Sequence, residues 1–239
     1  MSTLAILQAR TSSQRLPGKV LRDVLGRPML ARQVERVRRA KRLDALVVAT
    51  SDEPADDAIA ALCASIGVGC FRGPLDDVLA RFAGAAHARR ERPEHVVRLT
   101  GDCPLGDPEL IDAVVELHLA RGADYTSNAL ERRYPDGLDV EAMRLSALEV
   151  AQREASSRAQ REHVTPYLYQ HPERFALASL RCERALGQLR WTVDEAADLR
   201  FVQRVYAELH PRNPSFGWRD VLALVEGSAA FEAVRGGTA

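Results

Sequence analysis

The stretch Leu4-Ala5-Ile6-Leu7-Gln8-Ala9-Arg10-Thr11-Ser12-Ser13-Gln14-Arg15-Leu16-Pro17-Gly18-Lys19 passes from a short apolar run directly into a turn that carries three cations. A run of this length without polar alternation predicts a strand buried on both faces, as in the middle of a parallel sheet. The turn after it gathers Arg10, Arg15 and Lys19 among Ser, Pro and Gly, the make-up of a phosphate cradle. The chain has 31 arginines and two lysines, Lys19 and Lys41, so an ammonium at position 19 points to a specific need. Lysine is a compact charge on a rotatable stem that can follow a moving phosphate, whereas arginine's rigid fork prefers a fixed bidentate partner.

Beyond this turn, apolar strands and amphipathic helices alternate: Leu4–Gln8, a helix from Pro28, Ala45–Thr50, a helix from Pro54, His95–Thr100 and a helix from Pro108. Proline in a first helical turn costs no hydrogen bond, and Asp107 stands where an N-cap would. Ile59, Leu62 and Ile66 make one apolar stripe at three- and four-residue spacing. The pattern predicts an α/β fold with a mostly parallel central sheet flanked by helices. After Ala123–Ser127 it loosens into a turn at Tyr134-Pro135-Asp136-Gly137, an extended Leu138–Ala142 and helical stretches near Leu145–Ala155 and Gln160–Gln170. Residues 130–170 are therefore expected to form a small cap or insertion. An extended Phe175–Arg181, the segment Leu189–Val193, and helices near Glu195–Leu209 and Trp218–Glu226 complete the chain; 236–239 are expected to be mobile. Neither an internal repeat nor a linker is apparent, so 1–239 is expected to be one domain.

Thirty-three basic residues balance thirty-three acidic ones, which argues against nucleic acid or an anionic membrane as partner. Aromatic residues are few, so a base-stacking platform is not expected either. The cysteines Cys63, Cys70, Cys103 and Cys182 form no C-x-x-C pair, and no run approaches the ~18 apolar residues of a membrane span. A reducing cytoplasm is the expected location.

Ligands of a parallel α/β sheet bind beyond the carboxyl ends of its strands. Arg10–Lys19 follows the strand Leu4–Gln8, Thr50-Ser51-Asp52 ends or follows Ala45–Thr50, Gly101-Asp102-Cys103-Pro104 follows His95–Thr100, and Asp194 ends the late apolar segment. Cations on the first turn and carboxylates on later ones suit a nucleoside triphosphate with Mg²⁺. Mg²⁺ needs few protein carboxylates when phosphate and water complete its octahedron, so Asp102 and Asp194 would suffice. By contrast Asp56-Asp57 reads as favourable first-turn acid on a helix, and Arg38-Arg39 and Arg89-Arg90 as solvated helix faces.

Ile6-Leu7-Gln8-Ala9-Arg10, Ser13 and Arg15-Leu16-Pro17-Gly18-Lys19 resemble the signature of cytidylyltransferases that activate acidic sugars. The branch in question is the SpsF-like one of spore-coat polysaccharide biosynthesis, related to the CMP-Kdo and CMP-sialic acid synthetases. Arg72–Arg81, Leu99–Leu105, Arg161–Tyr167 and Arg190–Asp194 resemble it in the same order. The resemblance implies a nucleotide-diphospho-sugar transferase fold, GT-A-like and Rossmann-type. It further implies that Arg10, Ser13, Arg15 and Lys19 hold the triphosphate of CTP, with Lys19, Arg10 and Arg15 catalytic, and that Asp102 and Asp194 hold Mg²⁺. Ala9, Gly18, Thr50, Asp52, Asp77 and Gly101 are the further nucleotide-binding candidates, Asp77 near the base or ribose. Asp139, Glu141, Arg161 and His163 are the candidates for the acceptor, with Arg161 facing its carboxylate. Relatives of this type tend to be homodimers. The expected reaction is transfer of CMP from CTP to the hydroxyl of an acidic sugar. The alternatives are a GT-A glycosyltransferase, against which the lack of an Asp-x-Asp element on a mid-chain turn speaks, and a non-catalytic nucleotide-binding scaffold.

Overall fold

The strand opened by Leu4 becomes the centre of the molecule. In the computed structural model, which describes residues 2–227, β1 (Thr3–Gln8) pairs in parallel on both sides, with Leu4 opposite Ala45 on one side and Val96 on the other. A 3₁₀ turn at Lys19–Leu21 and a two-stranded hairpin, β2 (Asp23–Val24) and β3 (Arg27–Pro28), lead into α1 (Met29–Val37). There follow β4 (Ala45–Ser51), a 3₁₀ turn at Pro54–Asp56, α2 (Asp57–Ser65), β5 (Gly69–Gly73), α3 (Val78–His87), β6 (His95–Thr100) and α4 (Pro108–Arg121). Asp107 caps α4 by accepting from the N–H groups of Glu109 and Leu110, and Gly122 (φ +57°) closes its far end.

The second part of the chain adds β7 (Tyr125–Ser127), β8 (Glu141–Arg144), α5 (Leu145–Glu154), α6 (Arg158–His163), α7 (Pro166–Tyr169), β9 (Leu177–Ser179), α8 (Ala196–Leu209) and α9 (Trp218–Gly227). The main sheet has seven strands in the order β5-β4-β1-β6-β8-β7-β9. All run the same way except β8, which is antiparallel to β6 and β7. Strand order reverses at β1, from which β4 and β5 lie on one side and β6 on the other. This switch point opens a crevice beyond the carboxyl ends of β1 and β6.

Each face buries its own apolar layer. Met29, Leu30 and Val34 of α1, Ile111 and Val114 of α4, and Val202 and Val205 of α8 pack with Leu7, Val97 and Leu99 on one face. Leu79 and Phe82 of α3, Leu148 of α5 and Leu168 of α7 pack with Leu4, Ile6 and Val96 on the other. Residues 130–170 thus supply β8 to the sheet and α5–α7 to its second face, while 134–139 run beside 189–193 at the sheet's carboxyl edge through an isolated Asp136–Arg190 bridge. Leu138–Ala142 enters the ladder only from Glu141, and Leu189–Val193 makes no named strand. The helix read as Gln160–Gln170 is two helices broken at Val164. Residues 236–239 lie outside the described residues.

Candidate active site

The first turn is wound tightly around Thr11. Its carbonyl accepts from the N–H groups of Ser13 at 2.9 Å and Gly18 at 2.8 Å, and the Ser13 hydroxyl accepts from Leu16 N–H at 3.4 Å. Gly18 (φ +68°) lets the chain reverse into the 3₁₀ turn. Buried Ala9 keeps the strand's line by donating to Ala49 O at 3.1 Å. The side chain of Lys19, 10% exposed, is consequently sent inward. Its Nζ donates to Val193 O at 2.6 Å and to Asp194 Oδ1 at 3.0 Å, and lies 3.5 Å from Asp102 Oδ2. Arg15 and Arg190 reach Asp194 Oδ2 at 3.0 and 3.3 Å. Val193 N–H donates to Asp102 O at 2.8 Å, so the turn after β6 and the end of the 189–193 segment are stitched together. Lys19, Arg15, Asp102 and Asp194 are in this way brought to one place from three distant parts of the chain. Arg10 is half-buried at the same edge and makes no hydrogen bond or ion pair among the described residues.

The residues after β4 are organised by Asp56, whose burial sequence patterning did not reveal. Its carboxylate, 1% exposed, accepts from Thr11 N–H at 2.7 Å and Thr11 Oγ1 at 2.6 Å, and from Thr50 Oγ1 at 3.0 Å. Burial favours the neutral acid, but the Ser51, Thr11 and Thr50 donors together hold Asp56 below the ordinary carboxylate range. Asp56 and Asp57 are first-turn acids as their position implies, and Asp56 is in addition a buried clasp between the first turn and β4, while Asp57 pairs with Arg72 at 2.6 Å. Thr50 serves this clasp and is fully buried, whereas Asp52 is exposed beyond the strand end. Gly101 is required for close packing: a Cβ there would meet Gln8 O at 2.8 Å and Ala9 Cβ at 3.2 Å, while its N–H donates to Gln8 O at 2.8 Å. The signal available in the sequence was the Thr11, Thr50-Ser51 and Asp56 donor–acceptor set, but its members are 45 residues apart at the extreme.

The acceptor candidates, and with them the nucleotide candidate Asp77 after β5, have firm partners. Asp77 caps α3 through Ala80 N–H at 2.9 Å and accepts from both Nε and Nη2 of Arg161. Arg161 also donates to Gln152 O at 2.7 Å, so the pair ties α6 to the start of α3 at the edge of the crevice. Asp139 is held by both Nη atoms of Arg132 at 3.2 and 2.9 Å, and Arg132 also reaches Asp136 at 3.0 Å. Burial pushes the Asp139 carboxyl up from its ordinary value, against the pull of Arg132. Glu141 is 7% exposed and joins Arg98, the Tyr125 hydroxyl at 2.6 Å and the Thr165 hydroxyl at 2.6 Å. His163 is exposed. Its carbonyl accepts from Thr165 N–H at 2.8 Å across Val164 (φ +72°, ψ −56°), a γ-turn that buries a β-branched residue at positive φ.

Burial would raise the Asp102 pKa, yet Lys19 and the Thr100 hydroxyl bring it below the carboxylate range. Among the described residues no group of three or more His, Cys, Asp or Glu side chains is placed to hold a metal. Asp102 and Asp194 do converge on one cation, the Lys19 ammonium. Two hard oxygen donors around a space that already holds a cation suit Mg²⁺, provided that the lysine turns to a phosphate and ligand oxygens complete the shell.

A sheet of this order, with cationic and acidic turns gathered beyond its switch point, has the nucleotide-binding Rossmann-like architecture of the nucleotidyltransferases. Within that class the chain belongs to the cytidylyltransferase family, whose model matches residues 4–205. The spore coat polysaccharide biosynthesis protein SpsF of Bacillus subtilis is 36% identical over 218 residues, 87% of this chain and 88% of that protein. A cytidylyltransferase structure from Leptospira borgpetersenii superposes with a TM-score of 0.92 at 28% identity, over 100% of this chain and 99% of the other. The 3-deoxy-manno-octulosonate cytidylyltransferase of Anaeromyxobacter dehalogenans is 43% identical over 110 residues, covering 46% of this chain and 44% of that enzyme.

Proposed function

We propose that this chain transfers CMP from CTP to a hydroxyl of an acidic sugar, releasing pyrophosphate, for the synthesis of a surface polysaccharide or glycan. The observation that carries this reading is Lys19 held between Asp102 and Asp194 with Arg15 alongside. A polyphosphate arriving here meets a rotatable ammonium and two guanidinium groups, Arg10 and Arg15, on a turn whose Ser13 and Gly18 backbone is already fixed. The acceptor oxygen attacks the α-phosphorus in line, its bond to phosphorus forms as the bond to pyrophosphate breaks, and the hydroxyl proton is released. This chemistry needs positioning and charge neutralisation more than a covalent partner. Lys19 and Arg15 would follow the charge that develops on the α-phosphate and the leaving group, released from the carboxylates they pair with here. Mg²⁺, when bound, would polarise the phosphoryl oxygens, and Asp102 and Asp194 are the residues that would hold it.

The acidic class of acceptor is supported by the likeness to the 3-deoxy-manno-octulosonate enzyme, which spans about half of each chain. Arg161, a candidate reader of the acceptor carboxylate, has its guanidinium engaged by Asp77 and would have to exchange that partner to bind it. Asp139, paired with Arg132 and near enough for its charge to act on Cys103 of the Asp102 turn, would orient sugar hydroxyls. A cytoplasmic location agrees with four free cysteines, and among the described residues no helix is long and apolar enough to cross a membrane. The test is a matrix of nucleoside triphosphates against acidic sugars, read as pyrophosphate release with and without Mg²⁺. CTP with one acidic sugar and Mg²⁺ should give release. Transfer of the sugar from a nucleotide sugar, with a nucleoside mono- or diphosphate leaving and no pyrophosphate formed, would favour the glycosyltransferase.

A further inference from the structure

Two of the four free cysteines meet at the edge of the sheet, and the proposed chemistry uses neither. β5 is the last strand on its side, and Cys70 within it stands opposite Val48 of β4. Residues paired across a sheet present their side chains to the same face. Val48 packs in the apolar layer that also holds Ile59 and Cys63 of α2, whereas Val47 and Phe71 belong to the other layer. The Cys70 side chain therefore lies on the face that α2 covers. The connection between them is tight: Val68 N–H donates to Cys63 O at 3.0 Å, and Gly67 (φ +61°) turns the chain from helix to strand. A side-chain hydrogen bond joins the two thiols. Cys63 is 0% exposed, while Cys70 is open to solvent.

A buried thiol on its own is inert, and an exposed one is oxidised according to how much thiolate it carries. Here the two are unequal. The bond from Cys63, and after it the Arg72 charge, outweigh burial and Asp56 and hold the Cys70 thiol below its ordinary value; the same bond, with burial, pushes Cys63 up. A solvent-facing thiolate beside a protonated thiol is the arrangement in which a first oxidation is followed by disulfide closure instead of further oxidation. We infer that Cys70 and Cys63 form an oxidation site for small hydroperoxides, with Cys70 as the attacking sulfur and Cys63 as the resolving one. Cys70 Sγ attacks a peroxide oxygen; the S–O bond forms as the O–O bond breaks, and the hydroxide or alkoxide that leaves takes a proton from water. Cys63 Sγ then attacks Cys70 Sγ; the S–S bond forms as the S–O bond breaks, and the departing hydroxide leaves as water with the Cys63 proton. The peroxide is the oxidant, reduced as the two thiols are oxidised to the disulfide. The bridge would tie α2, which begins directly after Asp56, to the edge strand. The competing role is a structural one, Cys63 filling the core and Cys70 an ordinary surface thiol.

Oxidation of the full chain by roughly equimolar hydrogen peroxide, followed by blocking of the remaining thiols and peptide mass mapping, separates these. Neither nucleotide nor sugar is needed, and the outcome does not depend on the activity proposed above. The main product should be an intact chain lighter by two hydrogens, with its bridge mapped to Cys63 and Cys70 and reopened by dithiothreitol. Reduced Cys70 should disappear about 10-fold faster than half-buried Cys182. Cys63→Ser should stop at a Cys70 sulfenic acid that dimedone traps, and Cys70→Ser should leave Cys63 reduced. In the unsubstituted protein, a sulfinic acid on Cys70 with Cys63 still reduced, or a bridge to a different cysteine, overturns the inference whether or not the variants fold. Loss of Cys70 no faster than that of Cys182 overturns it too.

Discussion

Lys19 faces Asp194 at 3.0 Å and Asp102 at 3.5 Å, so one ammonium is shared between two carboxylates. The same three side chains can exchange partners when a polyphosphate enters, the lysine for phosphate and the carboxylates for a divalent ion. Lys19→Ala is expected to lower turnover by about 10²- to 10³-fold, the loss typical of one transition-state donor, in a protein whose circular dichroism still shows the native helix content. Unchanged turnover would remove Lys19 from the chemistry. The lysine was legible in the sequence because its rarity and its place after a buried strand mark it. Asp56 was not, because a first-turn acid and a buried clasp look alike until Thr11 and Thr50 are brought to it by the sheet. Arg161 shows the same limit: its partner Asp77 lies 84 residues away.

Elements built from uninterrupted apolar runs were read to within a residue, as with β6 at His95–Thr100 and β1, which begins at Thr3 rather than Leu4. β5 escaped because Gly69-Cys70-Phe71-Arg72-Gly73 is a short edge strand with a glycine at each end, which lowers strand propensity. β8 starts three residues later than its alternating pattern because Asn128 occupies the backbone first, donating to Leu138 O and accepting from Val140 N–H, both at 2.8 Å. Its antiparallel sense comes from strand order, which periodicity does not contain. The break at Val164 lies in its own positive φ (+72°), since Thr165 before Pro166 keeps αR angles and the avoidance of helix before proline does not account for it. The 134–139 segment depends on Gly137 (φ +104°), where a Cβ would lie 2.7 Å from both Thr192 N and Trp191 C. Gly137→Ala should cost about 2–4 kcal/mol, measured by urea denaturation, and should also weaken turnover by shifting Asp136 and Asp139. A stable, fully active alanine variant would show that the 190–192 backbone is not fixed there.

For the molecule as a whole, acid should act through a buried histidine pair remote from the crevice. His118 of α4 contacts His95 Nδ1 of β6 at 3.0 Å and Thr126 Oγ1 of β7 at 3.1 Å, and burial, then the neighbouring His95 and Arg144, lower its pKa to about 4. The unfolded chain, with an ordinary histidine near 6.5, binds the proton more readily, so stability is lost as pH falls from about 6.5 towards 4. The expected loss is about 2 kcal/mol by pH 5, seen as a falling melting temperature that His118→Gln flattens; an unchanged pH profile in that variant would place the acid sensitivity elsewhere. The two apolar layers and the seven-stranded sheet hold the crevice open in a fixed shape, with Asp56, Gly101 and the Val193–Asp102 backbone bond locking its turns together. A crystal structure of the protein with CTP and a divalent cation will decide whether this crevice is the site. The triphosphate should lie among Arg10, Arg15 and Lys19 with the ion on Asp102 and Asp194; a nucleotide seated elsewhere, or an ion that touches neither aspartate, would contradict it.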